Sequence, residues 1–545
     1  MQKRLAHLVL ALLLTAGTAA LADTPVRRQI VVVVWDGMRP DFISEQTTPH
    51  LWALAQSGVF FAQHHPVYLS ATEVNGTALA TGAYPAHSTI IGNKEFRQGI
   101  DPEKPVSVEN PAVIRRADEL AYGHDLAVGT LAEFLHAQGL RTAVAGAKQV
   151  ALLADRAPRP NDPASSPVIY EGAALPPRLE LDLSAALGDF PAVKQDAAGR
   201  GNKMARDAWT TRALLEVLWK DRVPPFSLLW LAEPDYSQHE TGPGSAAALA
   251  AIRSSDDNLG RVLADLDRRA LRASTDVLVV SDHGFSTILR AFDAAADLSA
   301  GGFEATRIAR GGLHSGQVLV VSNGGTVFLY VGGHDPALSR RVAAWVQTRD
   351  WAGVVFMREA IDGTFPLATA HLDSPEAPDV VVALRWIWDR SATGAPGQIW
   401  SDSFERGPGQ GNHASLSATD MHNTLVAAGP DFRVGVRDPL PSANTDLAPT
   451  ILWILGFQHA AMQRDGRVLG EALVAEAPPL RSFEIKHLTA RRDLGEGRVW
   501  EQYLNVSELN GVQYLDEGNG AQKPESGHLK PESGNRKPES KDRTE

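Results

Sequence analysis

From residue 28 onward, short apolar runs alternate with longer stretches of helical periodicity. The run at 30–34, Ile-Val-Val-Val-Val, contains no polar position. A strand with one wet face would alternate, so this run predicts a strand covered on both faces, as in a parallel sheet. Segments 142–145, 226–231, 276–280 and 424–428, each mostly apolar, are similar strand candidates. Segments 74–81, 126–138, 202–219 and 245–269 read as helices, the last with apolar positions three and four residues apart. This alternation predicts an α/β fold, a mainly parallel central sheet flanked by helices. Residues 286–410 break the rhythm with Gly-rich turns and an antiparallel portion at 326–331, and are expected to form an inserted cap subdomain. No internal repeat of roughly 20–50 residues is visible in the folded part.

The two ends differ from this body. Lys3 and Arg4, the apolar stretch from Leu8 to Leu14 and Ala20-Leu21-Ala22 read as a secretory signal over 1–22, with a mature chain from Asp23. An uncleaved anchor is the alternative, but the apolar stretch is shorter than the roughly 20 residues a spanning helix needs. A periplasmic or secreted protein without a membrane span after signal removal is expected. At the other end, Lys-Pro-Glu-Ser recurs at Lys523, Lys530 and Lys537. Such a composition buries too little apolar surface to offset its ordering entropy, so 518–545 is expected to be a disordered tail. That leaves 23–517 as one folded domain.

Composition narrows the chemistry. With 44% hydrophobic and 21% charged residues among 545, the chain is an ordinary globular protein rather than a fibrous or disordered one. Lys and Arg number 52 against 64 Asp and Glu, a net charge of -12, so no overall positive field attracts nucleic acid or anionic lipid. There is no cysteine, hence no disulfide, no thiol nucleophile and no thiolate metal site. Any metal must be held by His, Asp, Glu or hydroxyl groups.

Polar groups that follow apolar strands carry the functional signal, because ligands in open α/β sheets gather beyond the carboxyl ends of the strands. The strand at 30–34 leads to Asp36-Gly37, that at 226–231 to Glu233-Pro234-Asp235 and His239, and that at 276–280 to Asp282-His283-Gly284. His413 precedes the strand at 424–428. Singly, Asp36 is a turn residue, and Asp235 and His239 are a helix cap and a surface histidine. Together, carboxylates and imidazoles without thiolates suit zinc or a similar divalent cation, manganese and iron included. Thr72 is the nucleophile candidate, since a nearby cation would favour its alkoxide. It is also expected to cap the helix at 74–81.

The ordered series Asp36, Thr72, Asn93, Asp235-x-x-x-His239, Asp282-His283 and His413 resembles the alkaline phosphatase superfamily, within it the nucleotide pyrophosphatase/phosphodiesterases, or type I phosphodiesterases. Thr81-Gly82-Ala83-Tyr84-Pro85, Ile90-Ile91-Gly92-Asn93 and the residues from Met421 to Gly429-Pro430 share the likeness, which covers roughly residues 28–470. The resemblance implies an alkaline phosphatase-like catalytic domain with two divalent metal ions, zinc preferred. It implies Asp36, Thr72, Asp282 and His283 around one and Asp235, His239 and His413 around the other. Thr72 would attack a small-molecule phosphate diester to give a phospho-threonine, and Asn93 would hold a non-bridging phosphate oxygen.

Two departures from the family bear on substrate. Where members acting on nucleotides carry an aromatic residue after the nucleophile, this chain has Glu73, which offers no base stacking and would meet a cationic or hydroxyl-bearing group. After the last histidine the usual Gly-Tyr-Asp-Asn is Ala414-Ser415-Leu416-Ser417. Lys148 follows the strand at 142–145 and is similar in placement to a substrate-holding lysine of phosphonoacetate hydrolases; the alternative is a solvated lysine. Competing readings are therefore a C–P hydrolase acting on a phosphonate, or a phosphomonoesterase, at the same metals. The lack of a Cys/Ser-x-Pro-x-Arg motif argues against a sulfatase, and intact Thr72 with the complete ligand set argues against a binding protein that merely retains the fold.

Overall fold

Nine strands form the central sheet: β1 (Gln29–Trp35), β2 (Val59–His65), β3 (Thr142–Gly146), β4 (Val168–Tyr170), β5 (Ala173–Leu175), β6 (Phe226–Leu231), β7 (Thr275–Val280), β8 (Leu425–Ala428) and β9 (Val436–Ala443). Their spatial order is β9-β2-β8-β7-β1-β6-β3-β4-β5. This computed structural model describes residues 28–524 apart from 122, 124, 158–165, 198–199 and 404. The expected signal at 1–22 and the tail from 525 onward lie outside the described residues.

β1 pairs in parallel with β6 and β7, β3 with β6 and β4, and β2 with β9. The sheet is mixed because β8 runs antiparallel between β7 and β2, and β5 turns back on β4. The segment expected at 424–428 is thus a strand of opposite direction. The continuous apolar run of β1 has the anticipated cause: Ile30, Val32 and Val34 enter one core cluster, while Val31, Val33 and Trp35 enter another on the opposite face. The α/β fold expected from the alternation of elements is the fold observed.

Helices depart from their expected bounds for local reasons. The segment at 126–138 is helical only over Leu131–Ala137, because Thr130 and Glu133 close a capping box that sets a later start. The segment at 202–219 is an α-helix over Met204–Arg212 that widens into a π-helical turn over Ala213–Leu218. The segment at 245–269 is a helix over Ala246–Arg268, as its pattern suggested, and Ser245 caps it by accepting from the Ala248 N–H. α1 (Thr72–Thr81) begins at Thr72 itself, with Ala71 as N-cap, so the Thr72 hydroxyl is not a cap.

Between β7 and β8, a six-stranded sheet includes Thr326–Val331, antiparallel to Gln317–Ser322 and Val380–Leu384. It shares a core with the nucleophile segment, where Tyr68, Leu69 and Val74 pack with Phe328, Phe356 and Val381. A C-terminal three-stranded sheet closes over it, and its last strand runs Val512–Pro524, past the tail boundary expected at 517. That extension is held by backbone pairing to Arg498–Leu509, by Asn519 Nδ2 donating to the Trp386 carbonyl and by a Lys523–Glu501 ion pair. The low apolar content of 518–524 hid this, because pairing needs backbone rather than side chains. No helix among the described residues is long and apolar enough to cross a membrane.

Candidate active site

The central strands deliver their following residues to one edge of the sheet. β1 is followed by Asp36, β2 by the turn that carries Thr72, β3 by Lys148, β6 by Asp235, and β7 by Asp282 and His283. Because β8 runs the other way, the segment that precedes it, with His413, reaches the same edge. Asp36, Asp282 and His283 are fully buried; Thr72, Asp235, His239 and His413 are nearly so.

Two groups of ligand atoms converge there. Asp36, Asp282 and His283 offer one set within 4.8 Å of one another, and Asp235, His283 and His413 another, with His283 common to both. His239 Nε2 lies 3.3 Å from Asp235 Oδ1 and joins the second group. Thr72 Oγ1 is 3.2 Å from His283 Nε2, where the groups meet.

The imidazoles are oriented through their other nitrogens. Nδ1 of His239, His283 and His413 faces the carbonyl oxygens of Gly411, Gly284 and Ser70 at 2.8–2.9 Å. A carbonyl only accepts, so each Nδ1 carries a proton, and in the neutral ring it is Nε2 that presents the lone pair. Those lone pairs face Asp282 Oδ2 at 3.3 Å, Asp36 Oδ1 at 3.7 Å and Asp235 Oδ1 at 3.3 and 3.6 Å. The same three carboxylate oxygens are buried without a hydrogen-bond donor. Lone pairs facing unsatisfied carboxylate oxygens repel unless a cation lies between them, so the residues fit a divalent metal bound by nitrogen and oxygen.

Electrostatics agree with that fit. Burial, then the Asp282 carboxylate, pushes the Asp36 carboxyl well above the usual range. Burial raises Asp282 to about 7 despite Lys148. Burial also raises Asp235, but the Lys148 ammonium is foremost among the charges that outweigh it and hold that carboxyl well below its usual value. Burial lowers the His239 imidazole below its usual value against the pull of Asp235, and lowers His413 well below it, with His283 and His239 adding to the effect at His413.

Lys148 is not a solvated lysine. Its Nζ is 2.9 Å from Asp36 Oδ2 and 3.3 Å from Asp235 Oδ2, and its side chain is 14% exposed. Glu73 is buried; burial and then Glu109 push its carboxyl well above the usual range. Asn93 Oδ1 accepts from the Glu73 backbone N–H at 3.1 Å, which turns its Nδ2 away from that contact. Sequence reasoning missed several supporting groups. Trp230 Nε1 donates to Asp36 Oδ2 at 2.9 Å, and Gly37 N–H to Asp282 Oδ1 at 2.9 Å. Glu109 sits beside Glu73, and Asn444 lies behind Asp282. Trp230 reads as one more apolar residue of β6, and Asn444 had only a short polar run, Ser442 to Asp446, as its signal.

A family model for type I phosphodiesterase / nucleotide pyrophosphatase matches residues 30–406. The chain belongs to that family. Among similar members, mouse ectonucleotide pyrophosphatase/phosphodiesterase family member 7 is 23% identical over 274 residues, 50% of this chain and 53% of the relative. Human member 7 is 25% identical over 289 residues, 51% and 54% of the two chains. Human member 1 is 24% identical over 255 residues, 46% of this chain and 22% of that one. The chain therefore spans about half the length of the member 7 relatives it matches. The fold is also that of murine ectonucleotide pyrophosphatase/phosphodiesterase 5, solved as an inactive threonine-to-alanine form with AMP. Its TM-score is 0.55 at 18% identity, covering 78% of this chain and 95% of that one.

Proposed function

We propose that this chain is an exported hydrolase of phosphate diesters that uses Thr72 as nucleophile and keeps the retained ester group on Thr72 between two displacements. The Thr72 hydroxyl 3.2 Å from His283 Nε2, where two carboxylate–imidazole groups meet, carries the proposal. Family membership and the AMP complex of the murine fold relative support a phosphate-ester substrate. Export rests on the signal pattern at 1–22.

Asp36, Asp282, His283 and Thr72 would hold one divalent cation and Asp235, His239 and His413 a second, with zinc suited to this nitrogen–oxygen donor set. Bound there, such cations supply Lewis-acid stabilisation of the entering and leaving oxygens. The chain's own part is positional. α1 presents Thr72 Oγ1 from its first residue, unhindered by any capping bond. Oγ1 attacks phosphorus in line with the departing oxygen, the P–O bond to the leaving alcohol breaks, and an organophosphoryl-threonine remains. Water then cleaves the Thr72–phosphorus bond, releasing a monoester and the free hydroxyl. Asn93 Nδ2 would donate to a non-bridging oxygen, a neutral donor suited to a diester with one negative charge at phosphorus.

Lys148 is committed to Asp36 and Asp235, which favours the diester over the phosphonate reading, because its ammonium is spent on the proposed ligands rather than offered to a substrate carboxylate. The test compares bis-p-nitrophenyl phosphate with p-nitrophenyl phosphate on zinc-loaded protein, with a chelated control and Thr72→Ala. A diester preference lost on chelation and in Thr72→Ala is expected. Monoester preference, or full activity in Thr72→Ala, would overturn the proposal.

A further inference from the structure

β9 ends at the same edge of the sheet as the proposed site, and its first following residue is Asn444, fully buried. One nitrogen of its side chain reaches two turns that are far apart in sequence. Asn444 Nδ2 donates to Asn75 Oδ1 at 3.0 Å and to the Asp282 carbonyl at 2.7 Å. Its Oδ1 faces His64 Nε2 at 3.0 Å and Asn423 Nδ2 at 3.3 Å. Since Oδ1 only accepts, His64 carries its proton on Nε2, and His64 Nδ1 accepts from the Ser442 hydroxyl at 2.9 Å. The amide orientation is therefore over-determined: donors on one side, acceptors on the other, with no alternative that satisfies them.

Each partner commands one half of the site. Asn75 Oδ1 accepts from Val67 N–H at 2.8 Å, and Asn75 Nδ2 donates to the carbonyls of Val67, Leu69 and Ala71 at 2.9–3.1 Å. These bonds set the turn that ends at Thr72. On the other side, Asp282 and His283 are the consecutive ligand candidates after β7, and Asn423 Nδ2 also donates to the carbonyl before them, Ser281. We propose that Asn444 is a positioning residue, whose amide locks the nucleophile turn to the Asp282–His283 turn and so fixes the Thr72–His283 distance. The inference rests on the diesterase reading given above. It adds a residue whose side-chain hydrogen bonds among the described residues go to His64, Asn423, Asn75 and the Asp282 backbone, not to Thr72 or to a side chain of the ligand set.

The physical reason for an amide here is specific. Only a side chain with two N–H donors and a carbonyl on one planar group bridges two acceptors while accepting from His64 and Asn423. Aspartate is isosteric but places a second oxygen against Asn75 Oδ1 and the Asp282 carbonyl, so it inverts attraction into repulsion at both. Alanine leaves both turns intact but unlinked.

The experiment measures kcat, KM and Tm for wild type, Asn444→Ala and Asn444→Asp on bis-p-nitrophenyl phosphate, with the folded fraction set by circular dichroism. Supporting partners of metal-site residues typically cost roughly 10–100-fold when removed, and a kcat loss in that range with KM within about threefold is expected for Asn444→Ala. Asn444→Asp should lose at least as much. A crystal structure of the variant gives a readout apart from turnover: the Thr72 Oγ1 to His283 Nε2 separation should widen beyond hydrogen-bond reach. Wild-type kcat per folded molecule in both variants, with only Tm lowered, would overturn the proposal. So would an unchanged Thr72–His283 distance, whatever the kinetics. Where Asn444→Ala does not fold, Asn444→Asp is read by the same criteria, and should neither fold, Asn444→Ser is. If wild type itself hydrolyses no diester, the diesterase reading has failed, and the structural readout alone decides the role of Asn444.

Discussion

Replacing Trp230 with phenylalanine separates the support of the Asp36 carboxylate from the carboxylate itself. Trp230 is 2% exposed on β6, and its indole N–H donates to Asp36 Oδ2 at 2.9 Å, while Oδ1 of the same group has no donor. A hydrogen bond to a charged group contributes about 1.5–3 kcal/mol. At about 1.4 kcal/mol per factor of ten, losing it should weaken divalent-metal binding at the Asp36 group by roughly 10–150-fold. Lys148 Nζ remains on Oδ2 at 2.9 Å and keeps the carboxylate from being stripped of every partner, which argues for the lower half of that range. The ring also packs over Gly76, where an added methyl would lie 3.1 Å from it, so phenylalanine leaves a small void as well. Zinc affinity is measured by competition against a chromophoric chelator, and stability by thermal unfolding of metal-free protein. Unchanged zinc affinity, or a loss fully accounted for by unfolding, would refute the claim that this bond orients a ligand.

Two further predictions concern the frame of the site. A methyl on Gly284 would overlap the carbonyl oxygens of Thr419 and His422, whereas Gly407 has nothing within 4 Å; Gly284→Ala should lower Tm strongly and displace His283, and Gly407→Ala should leave Tm within about a degree, as surface changes usually do. An equal response of the two would show that Gly284 is not held by this packing. Burial raises Asp276 to about 8, with Asp431 beside it contributing. A folded-state value above the unfolded one of about 3.9 means that the folded protein binds the extra proton. This contribution to stability is full below about pH 4 and is lost as pH rises through about 8. Asp276→Asn should therefore flatten the fall of Tm between pH 5 and 9, and an unaltered profile would contradict the assignment.

Much of this arrangement was legible because it depends on strand ends. A continuous apolar run such as 30–34 has to be covered on both faces, and a carboxylate at its end then has one place to go, the edge where ligands collect. Asp36, Asp235 and Asp282-His283 were readable on that logic. The direction of β8 was not, since Leu425–Ala428 is equally apolar in either sense and only its neighbours decide. Lys148 was misjudged as a possible solvated lysine because spacing does not reveal that two carboxylates, from β1 and β6, meet its ammonium. The strand through 518–524 escaped notice because Gly518, Asn519 and Gly520 look like a linker. Gly518 and Gly520 are instead close-approach positions, lying against the Tyr503 and Gly353 carbonyls. Asn444 and Trp230 were invisible for a shared reason: each acts through a partner brought near only by the sheet order.

The central claim is a double displacement through Thr72, and stereochemistry at phosphorus tests it most directly. Each in-line attack inverts the configuration, so two in succession retain it. Hydrolysis of a single diastereomer of a chiral phosphorothioate diester, in water labelled with heavy oxygen, reports the outcome without any need for the intermediate to accumulate. Net retention is predicted. Net inversion would mean that water attacks phosphorus in one step and that Thr72 never bonds to it.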